Sequence, residues 1–227
     1  MESLFVVSGF DELPNQNRRL SEIAIATPIH LFRFEGPHEA FRPGIVIRIA
    51  WPAHADSDLP VFQPFDIVAA RKPSLRLLIA GDGTQAQMQQ LKALVDGARY
   101  KERIELLGPV SKERAAQLMR EGLLLAMPSR YEAWPLSALE AGAVGIPVVG
   151  SDIVGLRDAA PQFPQAHGIL VPQGNVQSLA DAMDRVADDP AIRAEAGSLG
   201  RQWAARFNWD ALADAQLAFY EEVVRET

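Results

Sequence analysis

Pro128-Ser129-Arg130-Tyr131-Glu132-Ala133-Trp134-Pro135-Leu136-Ser137-Ala138-Leu139-Glu140-Ala141-Gly142, closed by Gly145-Ile146-Pro147-Val148-Val149, is the stretch whose reading decides the fold. It follows the apolar run Leu123 to Met127, which has the length and composition of a buried strand. A polar turn comes next, then a helix from Leu136 to Ala143, then a second apolar strand from Ile146 to Val149. Such a passage leaves the first free N–H groups of the helix at one end of a sheet, where they make a ready anion site. Pro135 supplies a helix-ready φ but no N–H. Glu132 precedes the helix and Glu140 lies a turn or more inside it, so the two carboxylates need not compete for one atom. A pair of glutamates alone is weak evidence, because solvated helix faces carry such pairs by chance. The ordered strand, turn, helix and Gly-x-Pro-Val-Val strand is the specific signal.

The same alternation extends in both directions. Leu75 to Ala80 reads as a buried strand ending in the turn Gly81-Asp82-Gly83, followed by a helix from Thr84 to Asp96. Ile104 to Leu107 is a second strand, stopped by Gly108-Pro109, and Ser111 is a plausible N-cap for a helix reaching Arg120. Downstream, the strand Gly168 to Val171 precedes a helix from Asn175 with Val176, Leu179, Met183 and Val186 on one face. Upstream, Ile45 to Trp51 is a candidate first strand and Phe62 to Ala70 its helix, which Arg71-Lys72-Pro73 ends. The pattern predicts an α/β fold: a Rossmann-like parallel sheet with helices on both faces. From Asp210 onward, Leu212, Gln216, Phe219, Tyr220 and Val223 describe an apolar stripe on a long helix, for which core packing is the ordinary use.

Composition narrows the function classes. The 227 residues carry a formal charge of -7, which argues against a broad basic surface, so no nucleic acid partner is expected. The absence of cysteine excludes disulfides, thiol catalysis and thiolate metal sites, and fits a cytoplasmic protein. His30, His38, His54 and His167 show no metal-ligand spacing, so no metal is expected. No apolar run approaches the roughly 20 residues that span a bilayer, and the start of the chain does not read as a signal peptide. Gly81-Asp82-Gly83 lacks the third glycine of a dinucleotide fingerprint, which disfavours a nicotinamide dehydrogenase.

With these motifs in order, the chain resembles the C-terminal, nucleotide-sugar-binding domain of family 4 retaining glycosyltransferases of the GT-B fold, within the group 1 glycosyltransferases. The likeness covers residues 44 to 227 and rests on Leu77-Leu78-Ile79-Ala80-Gly81-Asp82-Gly83, Ile104-Glu105-Leu106-Leu107-Gly108-Pro109-Val110, the Pro-Ser-x-x-Glu-x7-Glu block and Gly168-Ile169-Leu170-Val171-Pro172. Thr27-Pro28-Ile29-His30 followed by Phe32 and Phe34 looks like the family's interdomain linker. The resemblance thus implies one half of a GT-B fold. Residues 1–34 would be the remnant of an N-terminal domain with the linker, and 35–227 the donor-binding domain. The acceptor-binding half would be missing, which makes a separate N-terminal acceptor domain an expected partner. A peripheral membrane contact of the full enzyme is a further expectation. An incomplete interface around the C-terminal helix would leave an apolar patch and favour self-association.

The resemblance also implies roles. A nucleotide diphosphate sugar would be the donor substrate, with no cofactor and no obligatory metal. Glu132 would sit at the sugar and Glu140 would accept hydrogen bonds from the ribose hydroxyls. The backbone amides of Trp134, Leu136 and Ser137 would contact phosphate, although the family often reads Phe-Gly-Leu where this chain has Trp134-Pro135-Leu136. Gly108 and Val110, with Gly81, would approach the base. The basic clamp on the diphosphate departs from the family. Its arginine is best matched by Arg48, the second catalytic candidate beside Glu132, but its lysine falls near Asp56 or Ser57. An aspartate beside a diphosphate adds repulsion. Two readings follow: a glycosyltransferase donor domain, or a non-catalytic, degenerate nucleotide-sugar-binding module. A sugar-nucleotide epimerase of the same fold fits the Glu-x7-Glu block less well.

Overall fold

The computed structural model describes residues 44–50 and 61–226. The linker motif, the remnant domain and the Asp56 and Ser57 positions lie outside the described residues. In chain order the elements are β1 (Gly44–Ala50), α1 (Phe62–Arg71), β2 (Arg76–Asp82), α2 (Gln85–Gly97), β3 (Ile104–Gly108), α3 (Lys112–Glu121), β4 (Gly122–Met127) and α4 (Leu136–Val144), then β5 (Val148–Ser151), α5 (Val154–Ala159), β6 (Gly168–Val171), α6 (Val176–Asp188), α7 (Pro190–Ala204) and α8 (Trp209–Glu226). The strands form one parallel sheet in the order β3-β2-β1-β4-β5-β6.

Helices cover both faces of this sheet, which is why its strands read as continuous apolar runs. Successive strand residues take opposite sides. Leu77, Ile79, Leu124, Ala126 and Val149 pack with Phe65 and Val68 of α1, Leu91 of α2, and Leu179 and Met183 of α6. Ala80, Leu125, Met127 and Val148 pack with Leu118 and Met119 of α3, Ala138 and Ala141 of α4, and Leu156 of α5. The expected Rossmann-like α/β fold is the observed one.

Element ends differ from the sequence reading where a local contact decides them. Gly81 and Asp82, expected as a turn, extend β2 because Ile49 and Ala50 of β1 pair with them. Ile146, expected in a strand, belongs instead to the end of α4. Gly145 adopts φ +86°, its N–H and that of Ile146 both reach Ala141 O, and the strand starts only at Val148. Two helices went unread. The short α5 has no side-chain cap, whereas α7 carries a legible start, with Asp189 accepting from the N–H groups of Ala191 and Ile192 and Pro190 in the first turn.

The chain divides into two compact units, Gly36–Phe207, which holds the sheet, and a second made of Met1–Glu35 with Asn208–Thr227, whose described part is the segment with α8 from Asn208. Taken by itself, α8 has the expected helix, but Phe219, Tyr220 and Val223 are exposed rather than packed in a core.

Candidate functional site

The strand order reverses between β1 and β4, and in open α/β sheets the crevice outside the carboxyl ends at such a switch point is where ligands bind. Here the crevice is opened by the register itself. β1 pairs with β2 along its whole length, from Gly44 opposite Arg76 to Ala50 opposite Asp82. Its pairing with β4 runs only from Gly44 opposite Gly122 to Val46 opposite Leu125, with an irregularity after Gly44. Beyond Val46 the two strands part. Arg48 stands on this free half of β1, level with Ala80 of β2, inside the strand instead of after it.

On the other side of the gap, β4 runs into the Pro128–Pro135 loop and then α4. The N-cap of α4 is Pro135, which offers no side-chain hydrogen bond. Ala138 N–H returns to Pro135 O at 3.0 Å, which leaves the amides of Leu136 and Ser137 as the helix's open donors. The other long helices of the sheet begin differently: Thr84 and Gln87 form a reciprocal cap on α2, Ser111 caps α3, Asn175 caps α6 and Asp189 caps α7. Among the described helices α1 and the short α5 share the lack of a side-chain cap. Two open amides with the partial positive charge of a helix start are the kind of feature on which anions bind. Ser137 Oγ lies 3.8 Å from Met127 Sδ, a weak contact that ties the first turn back to the strand end.

Glu132 is half-buried in the loop. Ser129 Oγ donates to its Oε1 at 2.8 Å. Burial pushes the Glu132 carboxyl above the usual carboxylate range, and the Ser129 hydrogen bond offsets part of that rise. Glu140 is half-buried on α4, about one turn inside the helix. The Trp134 ring is 41% exposed and meets Phe207 edge-on at 5.4 Å, while Phe207 in turn meets Trp203 at 5.6 Å. Gln173 Nε2 donates to Arg130 O at 2.6 Å and so ties the loop to the segment after β6.

The remaining expected residues lie at the far edge. Gly81 and Gly108 come together: both line a small apolar cavity of about 10 Å³ with Ile79, Asp82, Met88, Leu91 and Leu106. Gly108 has φ +66°, a conformation that turns the chain sharply out of β3. Val110, half-buried, follows at once, and Lys112 is exposed. Because β3 and β4 are separated by two strands, this edge stands about 14 Å from the Glu132 loop at ordinary strand spacing. The structure therefore divides the expected residues into one group at the β2 and β3 edge and another at β4 and α4, with the β1 crevice between. Among the described residues no cluster of three or more His, Asp or Glu is placed to hold a metal ion.

Residues 61–203, from the start of α1 into the last turn of α7, match the family model for glycosyl transferases group 1. The chain belongs to that family. A D-inositol 3-phosphate glycosyltransferase of Mycobacterium avium is 36% identical over 204 residues, an alignment that covers 83% of this chain and 48% of that protein. An exopolysaccharide phosphotransferase of Streptomyces coelicolor is 33% identical over 195 residues, 82% of this chain and 20% of that one. Among solved structures, the sucrose-phosphate synthase of Thermosynechococcus elongatus superposes with a TM-score of 0.66 at 27% identity, covering 81% of this chain and 46% of that one. The α,α-trehalose 6-phosphate synthase of Burkholderia multivorans, at 16% identity and a TM-score of 0.63, shares the fold over 82% of this chain and 44% of its own. The chain spans about half the length of the inositol phosphate relative.

In this group 1 chain, two residues that sequence reasoning passed over pack against the start of α4 and the Glu132 loop. His167 is fully buried, with Nε2 2.8 Å from Ala138 O in the first turn of α4. Its ring occupies a slot that Gly142 of α4 and Gly200 of α7 leave open, since a Cβ at either would come within about 3 Å of the ring. Gly155 of α5 lies against the backbone of Glu132 and Ala133. Neither has a local sequence signature, because each owes its role to elements distant in the chain.

Proposed function

We propose that this chain is the donor-binding half of a retaining, family 4-like glycosyltransferase, which binds a nucleotide diphosphate sugar and passes the sugar to an acceptor held by a separate N-terminal domain. The observation that carries the reading is the start of α4 without a side-chain cap, between Glu132 in the loop after β4 and Glu140 a turn inside the helix, and following the strand whose pairing with β1 ends at Val46. In this arrangement the amides of Leu136 and Ser137 hold the diphosphate and stabilise the negative charge that grows on it as the bond to the sugar breaks, without a metal. Glu132 binds sugar hydroxyls, Glu140 the ribose, and the Gly81, Gly108 and Val110 edge the base. Arg48 provides the remaining cation of the clamp.

No acceptor is assigned. The names of the relatives differ on this point, and the chain spans half or less of each. Cytoplasmic location and a peripheral membrane contact of the full enzyme belong to the same proposal. Among the described residues no helix is long and apolar enough to cross a membrane.

The second reading, a nucleotide-sugar-binding module without turnover, is favoured by Asp56 and Ser57 standing where the clamp's lysine is expected. Calorimetric titration with UDP, GDP and ADP, repeated on Glu140→Ala, tests both. The expected result is saturable binding of one nucleotide, weakened in the variant by about 1 kcal/mol or more, the cost of a charged hydrogen bond. Absence of binding for all three nucleotides would overturn both readings. Binding without transfer, once an N-terminal domain and acceptors are supplied, would select the second.

A further inference from the structure

We propose that Gly155 and Ser129 are positioning residues that fix Glu132 from two sides, Gly155 by setting the height of its backbone and Ser129 by holding one oxygen of its carboxylate. The inference rests on the donor-site reading above and adds to it the way in which the sugar-facing carboxylate is held.

The geometry is close enough to be decisive. A Cβ placed on Gly155 would lie 2.1 Å from Glu132 O, 2.7 Å from Glu132 C and 2.9 Å from Ala133 O. All three obstacles are backbone, so no rotamer change relieves them; the Glu132–Ala133 peptide itself must move. Gly155 has no need of glycine for its own conformation, because it sits in α5 with no positive φ. Its side chain is absent to admit the Glu132 loop. From the other side, Ser129 Oγ donates to Glu132 Oε1 at 2.8 Å. Ser129 follows β4 directly through Pro128, so the hydroxyl is referenced to the sheet while Gly155 is referenced to the start of α5. A carboxylate held in this way arrives with its orientation set, and the sugar loses less on ordering it.

The nucleoside diphosphate contacts sit elsewhere, on the α4 amides, Glu140 and the β2/β3 edge. This separation supplies the test. The full chain is titrated with whichever of UDP, GDP and ADP binds, and with its glucose and N-acetylglucosamine conjugates. The readout is the affinity ratio of the better conjugate to the bare nucleotide. Gly155→Ala and Ser129→Ala are expected to cut that ratio about tenfold, as Glu132→Ala does, while the bare nucleotide binds as before. Ser129→Thr restores it, and Gly155→Ala made on top of Glu132→Ala costs nothing further.

Equal weakening of nucleotide and conjugate in the variants, an unchanged ratio, or losses that add fully to that of Glu132→Ala would overturn the proposal. Should Gly155→Ala lose its cooperative thermal transition, the Ser129 pair decides alone. A chain that binds no nucleotide overturns the donor-site reading and this proposal together, whereas nucleotide binding with an unaffected ratio overturns the positioning only.

Discussion

Glu132 is a carboxylate kept partly out of water with one hydroxyl for company, and that arrangement works against the fold. Its folded-state pKa is raised by burial, so the native chain holds the proton more tightly than the unfolded one. Stability therefore falls as pH rises from the ordinary carboxylate range through the folded value. Glu132→Gln is expected to melt about 1–2 °C higher than the unaltered chain near pH 7 and to show no gain near pH 4, as read by thermal denaturation at both. His167 has the opposite linkage. Burial lowers its pKa, the hydrogen bond to Ala138 O opposing, and Nδ1 has no partner among the described residues. The unfolded chain then takes up the proton first. The His167 contribution is complete above about pH 6.5 and is lost as pH falls below it, by up to about 1.4 kcal/mol per pH unit. Urea unfolding near pH 7.5 and 5.5 checks this: His167→Gln should be less stable at the higher pH and should lose less between the two. At this scale the sequence displayed Glu132 through its place between strand and helix. It hid His167, because a buried histidine is recognised only by the glycines that make room for it.

The pairing of α4 with α7 shows how an element can be specified by what it lacks. A Cβ on Gly197 of α7 would stand 2.2 Å from Gly145 O, and one on Gly200 would stand 3.0 Å from the Cα of Gly142. The two helices meet backbone to backbone, which fixes α4 and with it the amides of Leu136 and Ser137. Gly197→Ala is predicted to cost about 2–3 kcal/mol through this overlap, although helix propensity alone would make it favourable by about 1 kcal/mol. Gly97, the last residue of α2, has nothing within 4 Å of its missing Cβ. Gly97→Ala should thus be neutral to stabilising, and denaturant unfolding of the two variants separates close packing from propensity by the sign of the change. Caps such as Ser111 and Asn175 made their helices' starts readable, since a cap is a local bond, whereas the equally local cap of Asp189 on α7 went unread. The ends of β2 and β5 were not readable, because pairing with β1 extends one and the close of α4 delays the other.

At the scale of the whole molecule, alternation of strands and helices announced a parallel sheet covered on both faces, but not which strand lies at its centre. That order is set by the pairing of β1 with β2 and β4, residues far apart in the chain. The sheet, the α4 site and the Trp134, Phe207 and Trp203 rings all precede Asn208, where the described part of the second unit begins. A chain ending at Phe207 is therefore expected to keep its nucleotide affinity and its melting temperature. Calorimetry and thermal denaturation of the shortened chain would show the reverse if α8 were needed for either. The same topology has a consequence during synthesis. β1 can join β2 as soon as the intervening helix is made, yet its other edge stays unpaired until the ribosome has delivered the segment between Gly44 and Gly122. At about 5–20 residues per second this wait lasts roughly 4–16 s, during which a nascent strand edge stands open to neighbouring chains. The short β1/β4 pairing that opens the crevice is thus also the later of the two seams of β1 to close on the way out of the ribosome, a place where a chaperone would have an open edge to protect.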